Sequence, residues 1–148
     1  MRIDGTSAVV SGGASGLGEA TARHLAGRGA MCMIIDRNAE RGRSLAKELG
    51  EPARFVEADV AQDDEVAHAV ELAAERGPLR VAVNCAGIGA AVRVVGRDGS
   101  PHDFATFERV LRVNLFGTFN VLRLAAAAMS KTEPLENNER GVIINTAS

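Results

Sequence analysis

The chain has 148 residues, of which 46% are hydrophobic and 24% are charged, and its formal net charge is −2. This length allows one domain that buries roughly 70% of its unfolded surface, and the balanced charge gives no reason to expect nucleic acid or an anionic membrane as a partner. The first residues show no basic region followed by a long apolar core, and no apolar run approaches the ~18 residues of a membrane span. We therefore expect a cytoplasmic protein without a membrane partner.

Short apolar runs alternate with amphipathic stretches along the chain. Strands are predicted at 7–11, 31–36, 53–60, 80–84 and in the closing run 141–148, the last as a buried strand that brings polar groups to its carboxyl end. Helices are predicted at 16–28, from a cap at Asn38 to Gly50, from a cap at Asp63 or Asp64 to Gly77, and at 104–129. This alternation predicts an α/β protein with one doubly wound parallel sheet, forming a single domain over residues 1–148.

Two cysteines, Cys32 and Cys85, lie in or beside the predicted apolar strands. Free cysteine is among the most buried residue types and persists in reducing compartments. Both are predicted to be buried free thiols. No pattern of metal ligands is identified.

A glycine-rich loop, SGGASGLG (11–18), joins the first strand to the first helix. Its glycines Gly12, Gly16 and Gly18 allow positive φ and a close approach of the backbone to a pyrophosphate. The helix that follows offers free N–H groups and a partial positive charge to the phosphates, and Ser15 adds a hydroxyl donor. The strand before the loop and the helix after it favour nucleotide binding over an ordinary turn.

Asp36 ends the second strand, 20 residues after Gly16. A carboxylate there can accept hydrogen bonds from both ribose hydroxyls of an adenosine and repels a 2′-phosphate. The neighbouring Arg37 could serve a 2′-phosphate instead, and Asp36 could also be a simple turn cap. The acid holds the discriminating position, which favours NAD over NADP.

Three further segments accompany these features: NCAG (84–87), VNLFGTF (113–119) and IINTAS (143–148). In this order they resemble the short-chain dehydrogenase/reductase family, which has a Rossmann fold. The family loop usually begins Thr-Gly rather than Ser11-Gly12, and Cys85 stands where asparagine is common. The resemblance covers the whole chain but only the first part of the family fold, so the fold is expected to be truncated after the fifth strand.

Within the family, the segments SGGASGLG, NCAGI, RVLRVNLFGTFNV and EPLENNERGVIINTAS are similar to members that oxidise secondary alcohols with NAD. Their substrates include 3-hydroxyacyl-CoA thioesters and hydroxysteroids. The resemblance therefore implies a small-molecule substrate of this class, NAD as cofactor, and a homo-oligomer, a tetramer in the full-length family form.

The resemblance also implies individual roles in cofactor binding. Ser15 and Leu17 would line the pyrophosphate and Asp36 would hold the ribose. Asp59 and Val60 would meet the adenine through a side-chain acceptor and a backbone group, although Asp59 could be only a strand-end cap. The further implied cofactor residues are Ser11, Gly12, Gly16, Gly18, Arg37, Asn84, Cys85, Ala86 and Gly87.

Asn114 is placed by helical spacing on one face with apolar neighbours, namely Phe107, Leu111, Thr118, Leu122 and Ala125. A buried amide needs hydrogen-bond partners, so a structural asparagine is one interpretation. The resemblance offers a second, a catalytic one in which Asn114 holds the water of a proton relay. For Ser148 it implies the catalytic serine that hydrogen-bonds the substrate oxygen, where an ordinary turn residue is the alternative.

The sequence contains no tyrosine. In the family, a tyrosine in a Tyr-x-x-x-Lys motif is the general acid–base, because a lysine at i+4 lowers the pKa of the phenol. His24, His68 and His102 are expected on the surface and do not substitute. The chain as given is therefore predicted to be inactive, with a non-catalytic NAD-binding module as the alternative. A methyltransferase is disfavoured by the G-x-x-x-G-x-G spacing and NCAG.

Overall fold

The computed structural model describes residues 1–147, which form a parallel sheet flanked by helices. Its strands are β1 (Ser7–Ser11), β2 (Met31–Asp36), β3 (Ala53–Glu57), β4 (Leu79–Asn84) and β5 (Val142–Asn145). The helices are α1 (Gly16–Gly27), α2 (Ala39–Leu49), α3 (Asp63–Glu75), α4 (Phe104–Leu111) and α5 (Thr118–Ser130). A π-helical segment, Arg112–Gly117, joins α4 to α5, and a 3-10 turn, Glu136–Asn138, precedes β5.

The strand order is β3-β2-β1-β4-β5, and every pair is parallel. The chain builds outward from β1 to β3 and then crosses to the other side of β1. The point of reversal lies between β1 and β4, where the loops leaving the two strands diverge and open a crevice at their carboxyl ends. The predicted doubly wound α/β sheet is confirmed.

Two apolar layers cover the sheet because successive strand residues face opposite sides. Val9 of β1 and Ile35 of β2 pack with Val66 of α3 and Val121 of α5 on one face. The strand residues that point to the other face, including Val10 and Ile34, pack against α1 and α2. Because both faces are covered, the central strands are continuous apolar runs, as parallel sheets require.

Several element boundaries differ from the sequence predictions, and those of β3 and α3 lie beside the carboxyl edge of the sheet. Pairing of β3 ends at Glu57, opposite Asp36, rather than running to residue 60. The N-cap of α3 is Gln62, so Asp63 and Asp64 lie in its first turn and neither caps it. Their charges still favour the helix because its N-terminus carries a partial positive charge.

The predicted long helix is present as Phe104–Ser130, but the π-helical segment changes which face is buried. A π turn closes i→i+5 hydrogen bonds and rotates the following residues relative to an α-helix. The predicted inward face is therefore wrong at its start, since Phe107, Leu111 and Asn114 are exposed. The residues that are buried are Gly117, Asn120, Val121, Ala125 and Met129.

By length and composition alone, Phe104–Ser130 is apolar enough to be a candidate membrane span. The sequence has no uninterrupted apolar run of this length, since Arg112 and Arg123 lie within the helix. The helix qualifies because the alanine-rich α5 contributes few charges. A core helix passes the same test, and Val121 and Ala125 of this helix lie in the apolar layer on the sheet.

The last strand is more exposed than its apolar sequence predicts. Val142 is 38% exposed and Ile144 is 49% exposed. β5 pairs only with β4 among the described residues, so it is an edge strand and receives packing mainly from α5. The prediction of a buried strand is wrong for this reason.

Candidate functional site

A cavity of about 830 Å³ opens at the carboxyl ends of the central strands. This volume lies within the range of small-molecule and cofactor sites. Its walls come from the β1–α1 turn, the end of β2, the segment after β3 and the loop after β4. The lining residues are Gly12, Ser15, Gly16, Leu17, Gly18, Ile35, Asp36, Arg37, Asn38, Ala39, Ala58, Asp59, Val60, Cys85, Ala86, Gly87, Ile88 and Val113.

The β1–α1 turn is built so closely against its neighbours that side chains are excluded. Gly12 has φ +66°, and a Cβ there would lie 2.6 Å from the backbone nitrogen of Ala86. A Cβ on Gly18 would overlap the carbonyl oxygen of Gly12. Glycine at these two positions therefore lets the first turn of α1 pack on the loop and lets the loop touch the β4 segment across the crevice.

The N-terminus of α1 faces this cavity and is free to bind an anion. The first α-helical hydrogen bond runs from the Glu19 nitrogen to the Ser15 oxygen at 3.0 Å. The earlier N–H groups of the helix have no intrahelical acceptor and carry its partial positive charge. The Ser15 side chain makes no capping hydrogen bond, and Leu17 is 73% exposed. This cradle fits a pyrophosphate.

Asp36 stands on the wall beside the cradle with its carboxylate held in one orientation. Oδ2 accepts a hydrogen bond from the Ala14 nitrogen at 3.0 Å, and Oδ1 accepts one from the Asn38 nitrogen at 2.9 Å. Each carboxylate oxygen can accept a second hydrogen bond. The group is thus fixed as a negatively charged acceptor for two neighbouring hydroxyls.

Arg37 points toward the segment after β3. Its guanidinium lies 3.7 Å from Asp59 Oδ2, and its side chain is 74% exposed. An ion pair with this much exposure contributes little stability. It does turn the Arg37 cation toward Asp59, on the far wall of the same cavity.

Asp59 caps a turn and also lines the cavity. Its Oδ1 accepts a hydrogen bond from the Ala61 nitrogen at 3.0 Å, which is the turn-cap arrangement. Asp59 and Val60 both line the cavity, which is compatible with the adenine contacts that the resemblance implies for them.

Ser11 and Asn84 are buried below the cavity and do not line it. The Ser11 hydroxyl donates to Asn84 Oδ1 at 3.0 Å, and Asn84 Nδ2 donates to Asn145 Oδ1 at 2.9 Å. These bonds connect the carboxyl ends of β1, β4 and β5. The two predicted cofactor residues therefore hold the strand ends that support the cavity.

Both cysteines are free thiols, as predicted, but only Cys32 is buried. Cys85 is half-buried because it follows β4 and lines the cavity. Burial raises the pKa of Cys85 above the ordinary thiol value, and raises the pKa of Cys32 to about 12. Neither thiol is ionised near neutral pH, so neither is a ready nucleophile.

Asn114 is exposed and bonded to the loop after β4 rather than buried among apolar side chains. Its Oδ1 accepts from the Ile88 nitrogen and its Nδ2 donates to the Ile88 oxygen, both at 2.9 Å. These two hydrogen bonds support the structural interpretation of Asn114. Its amide keeps one N–H and one acceptor position for a further partner such as water.

Ser148 lies outside the described residues. The residues just before it are anchored on β4, where the Thr146 nitrogen and hydroxyl donate to the Asn84 oxygen at 3.0 and 2.8 Å. None of the three histidines lines the cavity: His24 and His68 are exposed and His102 is half-buried.

Sequence reasoning missed several lining residues, including Ile88 and Val113. Ile88 directly follows NCAG and Val113 directly precedes Asn114. Their positions next to recognised motifs were the available signal, but an apolar residue in a loop carries no chemistry of its own to single it out.

Comparison with known proteins gives a consistent result. The family described as short chain dehydrogenase matches residues 6–148. The chain is 47% identical to human 3-hydroxyacyl-CoA dehydrogenase type-2 over 148 residues, which are 99% of this chain and 57% of that protein. The corresponding Drosophila melanogaster protein is 43% identical, with 58% of it covered. The crystal structure of 3-hydroxyacyl-CoA dehydrogenase type-2 from Mycobacterium avium superposes with a TM-score of 0.93 at 50% identity, covering 97% of this chain and 57% of that one.

Proposed function

Because this chain belongs to the short-chain dehydrogenase family, we propose that it binds NAD in the cavity at the carboxyl edge of its sheet. The activity it serves is hydride transfer between NAD and a secondary alcohol or ketone. The observation that carries the proposal is the Asp36 carboxylate, fixed by two backbone N–H groups beside an uncapped glycine-rich helix N-terminus. When bound, the nicotinamide ring supplies the hydride acceptor.

The residues of the chain act in this proposal by binding and orienting. The N–H groups at the start of α1 hold the pyrophosphate, and Asp36 accepts hydrogen bonds from the adenosine ribose. Its charge would repel a 2′-phosphate, and Arg37 is turned toward Asp59 rather than toward Asp36. This supports NAD over NADP.

For the substrate, we propose a 3-hydroxyacyl-CoA thioester or a hydroxysteroid. This proposal is supported by the similarity to the 3-hydroxyacyl-CoA dehydrogenases reported above. The chain spans about 57% of the length of the human protein. Ser148 would bind the substrate oxygen and Asn114 would hold a relay water. Because no tyrosine is present in the 148 residues, we propose that this chain alone binds NAD but gives negligible turnover.

Calorimetric titration of the 148-residue chain with NAD and NADP tests the binding proposal. We expect saturable binding of NAD and at least tenfold weaker binding of NADP, as roughly 1.4 kcal/mol of repulsion would give. No detectable binding of NAD would contradict it. Rapid NADH formation from NAD and a 3-hydroxyacyl-CoA would contradict the proposed lack of turnover.

The second candidate is a non-catalytic NAD-binding module, favoured by the absence of tyrosine. A chimera separates the two: this chain would replace the matching 148 residues of the human relative, whose remaining part is retained. Oxidation of 3-hydroxyacyl-CoA by the chimera, lost on Ser148→Ala, supports the dehydrogenase. A folded chimera that binds NAD without turnover supports the module.

We further propose that the family's homo-oligomer uses the exposed apolar face of α4, the π-helical segment and the start of α5. This face is formed by Phe104, Phe107, Leu111, Leu115, Phe116 and Phe119. An apolar patch of this kind marks an interaction surface. The cytoplasm is the proposed compartment, because both cysteines are free thiols.

A further inference from the structure

One side chain of α5 holds a wall of the cofactor cavity from behind. The segment 58–62 follows the last paired residue of β3, so sheet hydrogen bonds do not fix it beyond Ala58, whose nitrogen donates to the Asp36 oxygen at 3.1 Å. Asn120 reaches this segment from the helix. Its Nδ2 donates to the Val60 oxygen at 3.0 Å and to the Gln62 oxygen at 3.2 Å.

The Asn120 amide is buried and fully used. The residue is 8% exposed, and its Oδ1 accepts hydrogen bonds from Arg123 Nε at 3.1 Å and from Arg123 Nη2 at 2.7 Å. With two donors and two acceptors engaged, the amide has one orientation. Arg123 is in turn paired with Asp63, at the start of α3.

Gly117 brings the helix into direct contact with the same segment. A Cβ at Gly117 would overlap Cγ2 of Val60, so the helix backbone rests on the Val60 side chain. The side chain of Val60 therefore faces the helix. The two preceding residues, Ala58 and Asp59, line the cavity together with Val60. This close approach places Asn120 within reach of the two carbonyl oxygens.

We infer that Asn120 is a positioning residue for cofactor binding: it fixes the segment 58–62 so that Asp59 and Val60 meet the adenosine half of the dinucleotide. The inference rests on the proposed function. Asn120 does not line the cavity, so it acts through this segment and not on the cofactor itself.

The test is Asn120→Asp in the 148-residue chain, which keeps the side-chain shape but removes both N–H donors. The ligands are NAD, AMP as the adenosine half, and nicotinamide mononucleotide as the other half. We expect affinity for NAD and AMP to fall about tenfold, as loss of two neutral hydrogen bonds allows, with nicotinamide mononucleotide unchanged. Asn138→Asp, the same change at an exposed turn, is the matched control and leaves all three affinities unchanged.

Amide hydrogen exchange of the unliganded protein gives a second readout. The Ala61 and Gln62 nitrogens donate to Asp59, and Asn120→Asp should raise their exchange relative to β1. Equal losses for all three ligands, unchanged AMP affinity, or unchanged exchange at 61 and 62 would each overturn the inference. No binding of NAD by the unmodified chain would instead remove the proposed function, while the exchange result still decides whether Asn120 holds the segment.

Should Asn120→Asp fail to fold, Arg123→Gln takes its place. This change removes the guanidinium that donates to Asn120 Oδ1, while the Nδ2 group of Asn120 keeps both of its N–H donors. We expect a shift of about threefold in AMP affinity in the same direction, consistent with a weaker perturbation. An AMP affinity and exchange pattern equal to those of the unmodified chain would overturn the inference.

Discussion

At the scale of single residues, Asp36 shows how backbone geometry holds a common side chain in one orientation. A carboxylate at a strand end would ordinarily rotate freely in water. Here the Ala14 and Asn38 nitrogens each donate to one of its oxygens, so its charge faces the cavity in one orientation. If the chain binds NAD as proposed, its selectivity against NADP would depend on these two backbone N–H groups as well as on the acid.

Replacing Asp36 tests this directly. Asp36→Asn removes the charge and should weaken NAD binding about 10- to 100-fold, because hydrogen bonds to a charged group contribute roughly 1.5–3 kcal/mol. NADP should lose less, since the repulsion of its 2′-phosphate also disappears. Titration calorimetry with both cofactors measures the change. Glu40→Gln, an exposed acid on α2, is the control, and an unaltered NAD-to-NADP preference in Asp36→Asn would contradict the assignment.

Cys32 gives a second residue-scale prediction, for pH dependence. Burial raises its pKa from 9.0 to about 12 in the folded protein. The thiol of the unfolded chain therefore ionises at lower pH than the thiol of the folded protein. The contribution of Cys32 to the unfolding free energy is complete below about pH 9 and is lost as pH rises toward 12. The slope approaches about 1.4 kcal/mol per pH unit in this window.

Urea unfolding between neutral pH and the alkaline limit of the folded state measures this slope. Cys32→Ala should flatten the alkaline decline of the unfolding free energy relative to the unmodified chain, although its neutral-pH stability is lower because of the cavity. Identical alkaline slopes for the two proteins would show that the Cys32 thiol does not titrate with unfolding.

At the scale of elements, α1 and the turn before it act as one unit. The helix can offer its N-terminus to phosphates only because its first turn lies directly on the Gly12 backbone. The opposite end of the same helix has no such constraint: a Cβ on Gly27 would meet nothing within 4 Å. Gly18 and Gly27 thus belong to the same helix but have different steric requirements.

This contrast predicts opposite outcomes for the same substitution. Gly18→Ala should lower the unfolding free energy by about 1–3 kcal/mol through overpacking and abolish detectable NAD binding. Gly27→Ala should raise stability by up to about 1 kcal/mol, because alanine is the better helix former, and leave binding unchanged. Thermal unfolding and NAD titration of the pair are the measurements. Retained NAD affinity in Gly18→Ala would contradict the cradle geometry.

At the scale of the whole molecule, the long helix divides its surface between two tasks. Val121, Ala125 and Met129 pack on the sheet, whereas Phe107, Phe116 and others lie exposed on α4 and around the π-helical segment. Such a face would be costly to leave in water. A second copy of the chain is the occupant we propose.

Sedimentation velocity tests the proposal. The unmodified chain should self-associate, and the double change Phe116→Glu and Phe119→Glu should shift it toward the monomer, because charge on an apolar interface must be desolvated. Leu135→Glu, at an exposed apolar residue outside the face, should leave association unchanged. Monomeric behaviour of the unmodified chain, or its capture by lipid vesicles in place of self-association, would contradict the proposal.

Much of the fold could be predicted because its signals are local. The alternation of apolar strands with helical periods predicted the α/β class, and the glycine spacing with Asp36 predicted a nucleotide-binding turn at the place where the cavity opens. Strand ends and glycine turns have few conformations open to them, so the residue types alone are informative.

The tertiary structure decided what depends on packing between distant segments. The π-helical turn rotated Asn114 out to the Ile88 backbone and turned Asn120 in to Val60, a change that a uniform 3.6-residue period cannot show. Ser11 and Asn84 proved to brace the strand ends, because sheet order sets which strand ends are neighbours. The sequence by itself thus determined the chemistry available at the carboxyl edge. Only the packed structure determined which side chains face the cavity and which hold its walls, because burial and hydrogen-bond partners arise from contacts between residues far apart in the chain.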